Sequence, residues 1–476
     1  MDLEPVIGLE VHLQLKTCTK LFCSCPVVFA ASPNTQTCPI CLGLPGSLPV
    51  VNRQAVELAL KLALALKCRI NTISGFDRKN YFYPDLPKGY QITQHYVPLA
   101  SNGFVEINSA NGETKRIRIL RLHIEEDAGK IIYTEGTRDA LVDFNRCGVP
   151  LVEIVSGADF RSPQEAYDYL VEIRKIARYL DISDADMEKG HLRCDVNISL
   201  RPKGTELFGT RTEIKNLNSF AGVRNALECE IERQKKILEA CGRIEQETLA
   251  YDAVSRRMIV QRSKEEAHDY RYFPEPDLRP LVLNDEIINK VEREVVELPT
   301  VRQNRFVKDY GLPPKKAEIL CSQKALADYF EECAASAPSQ SVADWLITET
   351  LRVANERKFS IKDLYVEPKR MAELIALLET GKITNIVAKR VYEKMISENR
   401  TPSEIIEREG LVVERTEDKL TEMAKEVLKE NEVAVRDYKK GKKTAIKHLL
   451  GSLMKKSKGR ADPKIAEKIL EQLLKE

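Results

Sequence analysis

Long hydrophobic runs are missing from this chain of 476 residues. Its most apolar stretch, Ala55 to Cys68, is interrupted by Glu57, Lys61 and Lys67, whereas a membrane-spanning helix needs roughly 20 residues almost free of charge. No membrane span is expected. Glycine and proline are modest at 22 each, while hydrophobic residues make up 43% and charged residues 31%. That balance excludes a fibrous repeat or a disordered chain and describes a globular one. No period of roughly 20 to 50 residues recurs, which excludes a solenoid or a propeller. The phosphate-cradling pattern G-x4-G-K-[ST] is also missing, so nucleotide binding has no P-loop to rest on. The first residues, MDLEPVIGLEVH, lack both the basic start and the apolar core of a secretory signal. We expect a cytoplasmic protein whose thiols stay reduced.

Neither sign of charge dominates, since 74 basic residues face 72 acidic ones. The average conceals an asymmetry: Arg436 to Glu476 holds thirteen Lys or Arg and five Asp or Glu, a net charge of +8. Lys439, Lys440, Lys442 and Lys443, followed by Lys455, Lys456, Lys458 and Arg460, are candidates to neutralise several phosphates of a nucleic acid. A solvated helix face accounts for the same lysines without a partner.

At roughly 150 residues per domain, the length suggests two to four domains. Up to about residue 290 the pattern is one of short alternating strands, Gly/Pro loops and a few helices, such as Gln54 to Leu66 and Pro163 to Leu180, which reads as α+β. Beyond Pro299 the periodicity becomes helical, over Lys324 to Ala334, Val342 to Arg357 and Lys369 to Glu379. Further short helices around Lys419 to Asn431, Thr444 to Lys455 and Pro463 to Leu474 carry the basic excess. The expected layout is a mainly antiparallel-sheet α+β domain over 1–292, a helical domain over 293–405 and a small basic helical domain over 406–476.

The first strand alternates: Ile7, Leu9, Val11, Leu13 and Leu15 point one way, and Glu10, His12 and Gln14 the other. The same alternation sets Leu120, Leu122 and Ile124 against Arg121, His123 and Glu125. It sets Val196, Ile198 and Leu200 against Arg193, Asp195 and Asn197, and Thr212, Ile214 and Asn216 against Arg211, Glu213 and Lys215. Glu153 is the single charge in the apolar run Leu151 to Val155. Should these strands be neighbours, several carboxylates converge on one histidine. Like charges crowded in a cleft require a divalent cation, shared protons or matching Lys/Arg, and oxygen-rich ligation suits Mg²⁺ and phosphate chemistry. The plainer reading is the wet side of an antiparallel sheet.

Twelve cysteines are present. Cys23, Cys25, Cys38 and Cys41 form C-x-C-x12-C-x2-C within an insert near 18–45, and paired cysteines on two tight turns place four thiolates around a structural Zn²⁺. Redox chemistry and unliganded buried thiols remain the alternatives. The other eight are scattered and read as buried, weakly polar side chains.

Several phrases point one way: GLEVHLQL at Gly8, NYFYPDLPKGYQITQ at Asn80, LHIEEDAGK at Leu122, DFNRCGVPLVEIVSG at Asp143, HLRCDVNISLRP at His191, TEIKNLNSF at Thr212 and RSKEEAHDYRYFPEPDL at Arg262. Together they closely resemble the GatB family, one of the component chains of tRNA-dependent amidotransferases. GKITNIVAKRVYEKM at Gly381 and GKKTAIKHLLGSLMKKSKGRADP at Gly441 resemble that family's YqeY-like C-terminal region, expected to begin near 330, so the resemblance runs essentially end to end.

The resemblance implies a cradle-like catalytic domain in a heterotrimer with a GatA-type amidase subunit and a small GatC-type subunit. It implies ATP-dependent activation of the side-chain carboxylate of Glu or Asp mischarged on tRNA, followed by amidation with ammonia from the partner. By similarity, Mg²⁺ roles fall on Glu10, His12, Glu125, Glu153 and Asp195. Glu126 is a substitute for Glu125, which only the strand alternation favours. Lys88, Lys215 and Arg271 become candidates for phosphate or acceptor-end contacts, and Tyr83, with Tyr81 and Phe82, for stacking on the terminal adenosine. Lys442, Lys443, Lys455, Lys456 and Lys458 are the candidate tRNA contacts. A zinc-containing RNA-binding or assembly subunit without chemistry of its own is the competing reading, but it has no use for concentrated carboxylates. A self-sufficient glutamine amidotransferase would need its own glutaminase nucleophile, and no amidase-type signature occurs.

Overall fold

Strict alternation in Leu3–Gln14 makes a strand with one dry face: Leu9, Val11 and Leu13 are buried, while Glu10, His12 and Gln14 are half-buried on the other side. In the computed structural model, which describes residues 2–108, 114–133, 139–263, 270–413, 417–457 and 459–475, this strand lies at the centre of a nine-stranded sheet. Its two neighbours are distant in sequence, Pro150–Ser156 on one side and Leu192–Pro202 on the other, both antiparallel. Beyond Pro150–Ser156 come Thr114–Glu126, Ala100–Asn108 and the short Arg69–Ile70; beyond Leu192–Pro202 come Thr212–Leu217, Glu247–Asp252 and Arg257–Ser263. Among the described residues, only the pairing of Thr212–Leu217 with Glu247–Asp252 is parallel. The expected α+β class with a mainly antiparallel sheet is what the chain adopts.

Three helices supply the apolar layer. Arg53–Ala65, Pro163–Tyr179 and Phe220–Glu239 each start from a side-chain cap, Asn52, Ser162 and Ser219, whose oxygen accepts an amide of the first turn. Their buried residues, among them Leu62, Leu170, Ile173 and Val223, join Leu9, Val11, Ile124, Val152, Ile154 and Val196 in one core. Fully burying such a side chain is worth about 1.5–3 kcal/mol, so the dry face of the sheet is committed to the helices. The polar face remains for chemistry. A three-stranded sheet, Asp77–Asn80 between Tyr90–Thr93 and Phe273–Pro274, carries further side chains to that face.

Two expectations are corrected here. Leu120 does not belong to the dry row: it is 48% exposed, because the pairing of Thr114–Glu126 with Pro150–Ser156 shifts register so that Val155 faces Arg121 but Ser156 faces Ile119. Leu120 is the extra, bulged residue, and Ile117 and Ile119 are buried before it, Leu122 and Ile124 after it. Two compact units divide at Leu298/Pro299, since Val295, Val296 and Leu298 pack on the first core. Within the helical unit, a first cluster runs from Phe306 to Leu411 and a second from Leu420 to Leu474. The Pro402–Glu409 helix places Ile405 and Ile406 in the first of these clusters. The helix expected over Val342 to Arg357 is Ser339–Trp345 and Leu351–Arg357, joined by a π turn at Leu346–Thr350.

Candidate functional site

Register builds the polar face in rows. His123 lies opposite Glu153, Glu153 opposite His12, and His12 opposite Arg193. In the neighbouring row, Arg121 lies opposite Val155, Val155 opposite Glu10, and Glu10 opposite Asp195. Asn197 and Glu213 face each other one row further on. Side chains opposite one another on antiparallel strands come within contact distance, so residues from five strands share one pocket.

The single five-residue cluster expected from sequence divides into two. In the first, His12 Nε2 lies 3.4 Å from Glu125 Oε1 and 3.5 Å from Glu153 Oε2. His123 Nε2 donates to Glu153 Oε2 at 2.9 Å and lies 3.8 Å from Glu125 Oε2. In the second, Glu10, Asp195 and Glu213 each offer an oxygen, all within 4.8 Å of one another. Asn197 Nδ2 donates to Glu10 at 3.0 Å, and Lys215 Nζ lies 3.1 Å from Glu213 and 3.4 Å from Asp195. Glu126 points elsewhere: it accepts the Ile92 amide at 3.0 Å and pairs with Lys88.

The two clusters differ electrostatically. Burial pulls the His12 imidazole down, but the hydrogen bond and charge of Glu153 with the charge of Glu125 outweigh it and hold the group up at about 9. The same opposition, burial against the charge of Glu153 and the hydrogen bond to Glu125, raises His123 to about 9. Their imidazolium charges in turn overcome burial and keep Glu153 well below the usual carboxylate range and Glu125 lowered. Glu10 goes the other way, raised by burial and by repulsion from Glu153, Asp195 and Glu213. The first cluster is neutralised by protons on histidine, and the second carries more negative charge than Lys215 cancels. Both donor sets suit a hard divalent cation: one imidazole with two carboxylates, and three carboxylates.

The four cysteines also converge, with their Sγ atoms within 4.8 Å of one another. One turn is closed by Lys20 N–H to the Cys25 carbonyl at 2.9 Å, the other by Leu42 N–H to the Cys38 carbonyl at 3.1 Å. Gly43 ends the second turn at φ +68°, where a Cβ would run into the Lys88 side chain, so only glycine fits. Hydrogen bonding from Cys23, more than the opposing burial, lowers the Cys41 thiol to about 4, helped by the Cys38 amide and Lys20. A closed set of four thiols with one poised as thiolate fits structural zinc.

Residues 5–289 match the family model described as GatB/GatE catalytic domain, and residues 328–474 match a second, described as GatB domain, of the GatB–YqeY type. The chain belongs to the GatB family. Over its whole length it is similar to the corresponding component of the aspartyl/glutamyl-tRNA(Asn/Gln) amidotransferases of Thermoanaerobacter pseudethanolicus, 48% identical over 475 residues, and Persephonella marina, 49% identical over 477 residues, covering 100% of both chains in each case. The equivalent chain of the Brevibacillus brevis amidotransferase is 47% identical over 472 residues, 99% of this chain and 98% of that one. The GatB chain is thus a component of an amidotransferase. No helix among its described residues is long and apolar enough to cross a membrane.

The remaining candidates scatter. Lys215 lines the carboxylate pocket, together with Lys79, Arg121, Tyr270 and Tyr272. Lys88 is instead committed to Glu126, in a separate cavity beside Cys23 and Cys41. Arg271 is exposed, and its carbonyl accepts from Asn80 Nδ2 at 2.6 Å, while its neighbours Tyr270 and Tyr272 line the pocket. Tyr83 is 56% exposed on the Pro-rich loop. In the tail, Lys443 and Lys455 are exposed, Lys442 reaches Asp437 at 3.2 Å, and Lys456 is held by Glu426 and Glu430 at 2.7 Å each. Lys458 lies outside the described residues, as does part of the RSKEEAHDYRYFPEPDL segment. Sequence reasoning missed Glu213 and His123 as site residues, although both stood on the polar side of an alternating strand. Their partners stand on neighbouring strands, and strand alternation does not say which strands are neighbours.

Proposed function

We propose that this subunit activates the side-chain carboxylate of Glu-tRNA(Gln), Asp-tRNA(Asn) or both by ATP-dependent phosphorylation, and that ammonia from a GatA-type glutaminase partner then completes the amide. The convergence of the two acid-rich clusters on one sheet face carries this reading. A carboxylate is a poor acylating agent, because oxide would have to leave. In the reaction proposed, a substrate carboxylate oxygen attacks the γ-phosphorus of ATP and ADP departs. Ammonia then attacks the carbonyl carbon of the acyl phosphate, inorganic phosphate leaves with the bonding pair, and the nitrogen loses its surplus proton. A bound Mg²⁺ would align phosphate oxygens and offset their charge; His12, Glu125 and Glu153 would hold one, and Glu10, Asp195 and Glu213 another. Asn197 orients Glu10, His123 orients Glu153, and Lys215 keeps Asp195 and Glu213 from repelling each other apart.

Zinc at Cys23, Cys25, Cys38 and Cys41 would tie down the 18–45 insert, and the basic C-terminal helices would contact tRNA phosphates. A small GatC-type chain would complete the heterotrimer, working in the cytoplasm. The test is amidation of mischarged tRNA by the assembled enzyme with ammonium in place of glutamine, which isolates activation from the glutaminase. His12→Ala and Glu125→Gln should each lower that rate by about 100-fold or more, the scale of losing a positioning contact at a reacting group. Near-normal activity in both would reduce the cluster to a solvated sheet face.

A further inference from the structure

Almost every cation in the carboxylate pocket has an acceptor of its own. Lys215 lies against Asp195 and Glu213, and His12 and His123 face Glu153 and Glu125; Arg193, outside the lining, donates to Asp127 at 2.7 Å although its Nε is unpaired. Arg121 and Lys79 are different. Among the described residues neither side chain makes a hydrogen bond or an ion pair, and the Arg121 Nε is buried without a partner. Lys79 Nζ rests only over the Tyr270 and Tyr81 rings, 4.7 and 5.8 Å from their centroids. Both line the same pocket beside Tyr272, whose ring stacks on His95 at 3.8 Å and 8°.

A buried donor left unpaired costs about 1–3 kcal/mol, more when it is charged, so the buried Arg121 Nε, with the half-buried Lys79 ammonium lining the same pocket, calls for a ligand that supplies the acceptors. The two approach from different sheets, Arg121 at the end of the Arg121–Val155–Glu10–Asp195 row and Lys79 from Asp77–Asn80. Both cations lie close enough to Tyr272 for their charge to act on it, and Lys79 also feels the charge of Glu125 and Glu153 without pairing with either. Two cations facing a shared space match a dianion; a lone substrate carboxylate would leave one of them uncompensated. A guanidinium fork beside an ammonium is the pairing that phosphoryl oxygens take.

We propose that Arg121 and Lys79 form the anion site for the transferring phosphoryl group. The assignment rests on ATP-dependent activation as the reaction of this pocket. It makes Arg121 and Lys79 substrate-binding groups that would hold the γ-phosphoryl oxygens while the carboxylate attacks.

The assembled amidotransferase, supplied with ammonium, tests this through Arg121→Met, Lys79→Met and Arg121→Lys. Each Met variant should lose about 100-fold in kcat/KM for ATP, and Arg121→Lys, which keeps the charge without the fork, should lose about tenfold. Because Arg121 is unpaired in the free protein, Arg121→Met should melt no lower than the unaltered protein, Lys79→Met should lose only its contacts with the Tyr270 and Tyr81 rings, and Mn²⁺ binding should be retained in both. The thermal upshift given by Mg²⁺ with a non-hydrolysable ATP analogue should shrink in both. A lower melting temperature with an undiminished upshift would mean a structural role and overturn the proposal. So would unchanged kcat/KM for ATP, or a defect confined to the KM for mischarged tRNA, which would assign the site to the substrate carboxylate. Should the unaltered enzyme amidate without ATP, the activation reading itself would fall and this assignment with it, an outcome distinct from variants that alone behave normally.

Discussion

Divalent-metal binding at His12, Glu125 and Glu153 should tighten steeply with pH. In the metal-free pocket the carboxylates hold the His12 imidazole up at about 9, so below that pH nearly every molecule carries a proton on the nitrogen facing both carboxylates. A metal takes neutral imidazole. Binding must expel the proton, and each unit of pH below about 9 costs roughly a factor of ten, or about 1.4 kcal/mol. Between about pH 6.5 and 8.5 the affinity should therefore rise by roughly 100-fold, levelling off above about 9. His123 is also held up at about 9, by the same carboxylates. If charge on the metal displaces its proton as well, the slope will approach two decades per pH unit. Mn²⁺ titrations across this range would give the slope, and calorimetry in buffers of different ionisation enthalpy would count the protons released. Replacing His12 with Asn should weaken binding at high pH and remove one proton from the count. An affinity independent of pH, with no protons released, would refute the assignment of His12 as a ligand.

Elemental analysis should find about one zinc per chain, and Cys38→Ser with Cys41→Ser should abolish it and destabilise the 18–45 insert, since four protein ligands leave no open position for chemistry. Lys88→Met should destabilise the protein by about 3–5 kcal/mol in a melting or denaturant experiment, because it strands the Glu126 carboxylate, whose side chain is 2% exposed. Adding Glu126→Gln should recover much of that loss. Ending the chain at Val413, which keeps Ile405, Ile406 and Leu411 in their core, should leave ammonium-dependent chemistry possible while weakening tRNA binding, and the lost affinity should be the salt-dependent part. Equal tRNA binding at all salt concentrations would clear the tail of that role.

Local rules carried a long way here. Alternation in Leu3–Gln14 placed Glu10 and His12 on one face because side-chain direction in a strand depends only on parity. The same parity favoured Glu125 over Glu126, and in the structure Glu125 joins His12 while Glu126 turns toward Lys88. Cysteine spacing was enough to bring Cys23, Cys25, Cys38 and Cys41 together, since two tight turns leave the chain few other arrangements. Helices such as Lys324–Ala334 were legible from their period.

Only the tertiary structure decided which polar faces meet. Parity says nothing about neighbours, and Leu3–Gln14 pairs with strands roughly 150 and 190 residues away. That pairing divides the acids into two clusters, adds Glu213 and His123, and leaves Arg121 and Lys79 without acceptors. The bulge at Leu120 broke a pattern that looked regular, because one inserted residue reverses parity. Lys88 and Arg271 carried equal promise in the sequence. One found a buried partner and the other turned outward, outcomes set by packing against residues distant in the chain. The sequence by itself determined the kinds of side chain, their faces and the local turns; the registry among distant strands, a sum of non-local contacts, determined which of those faces became one site.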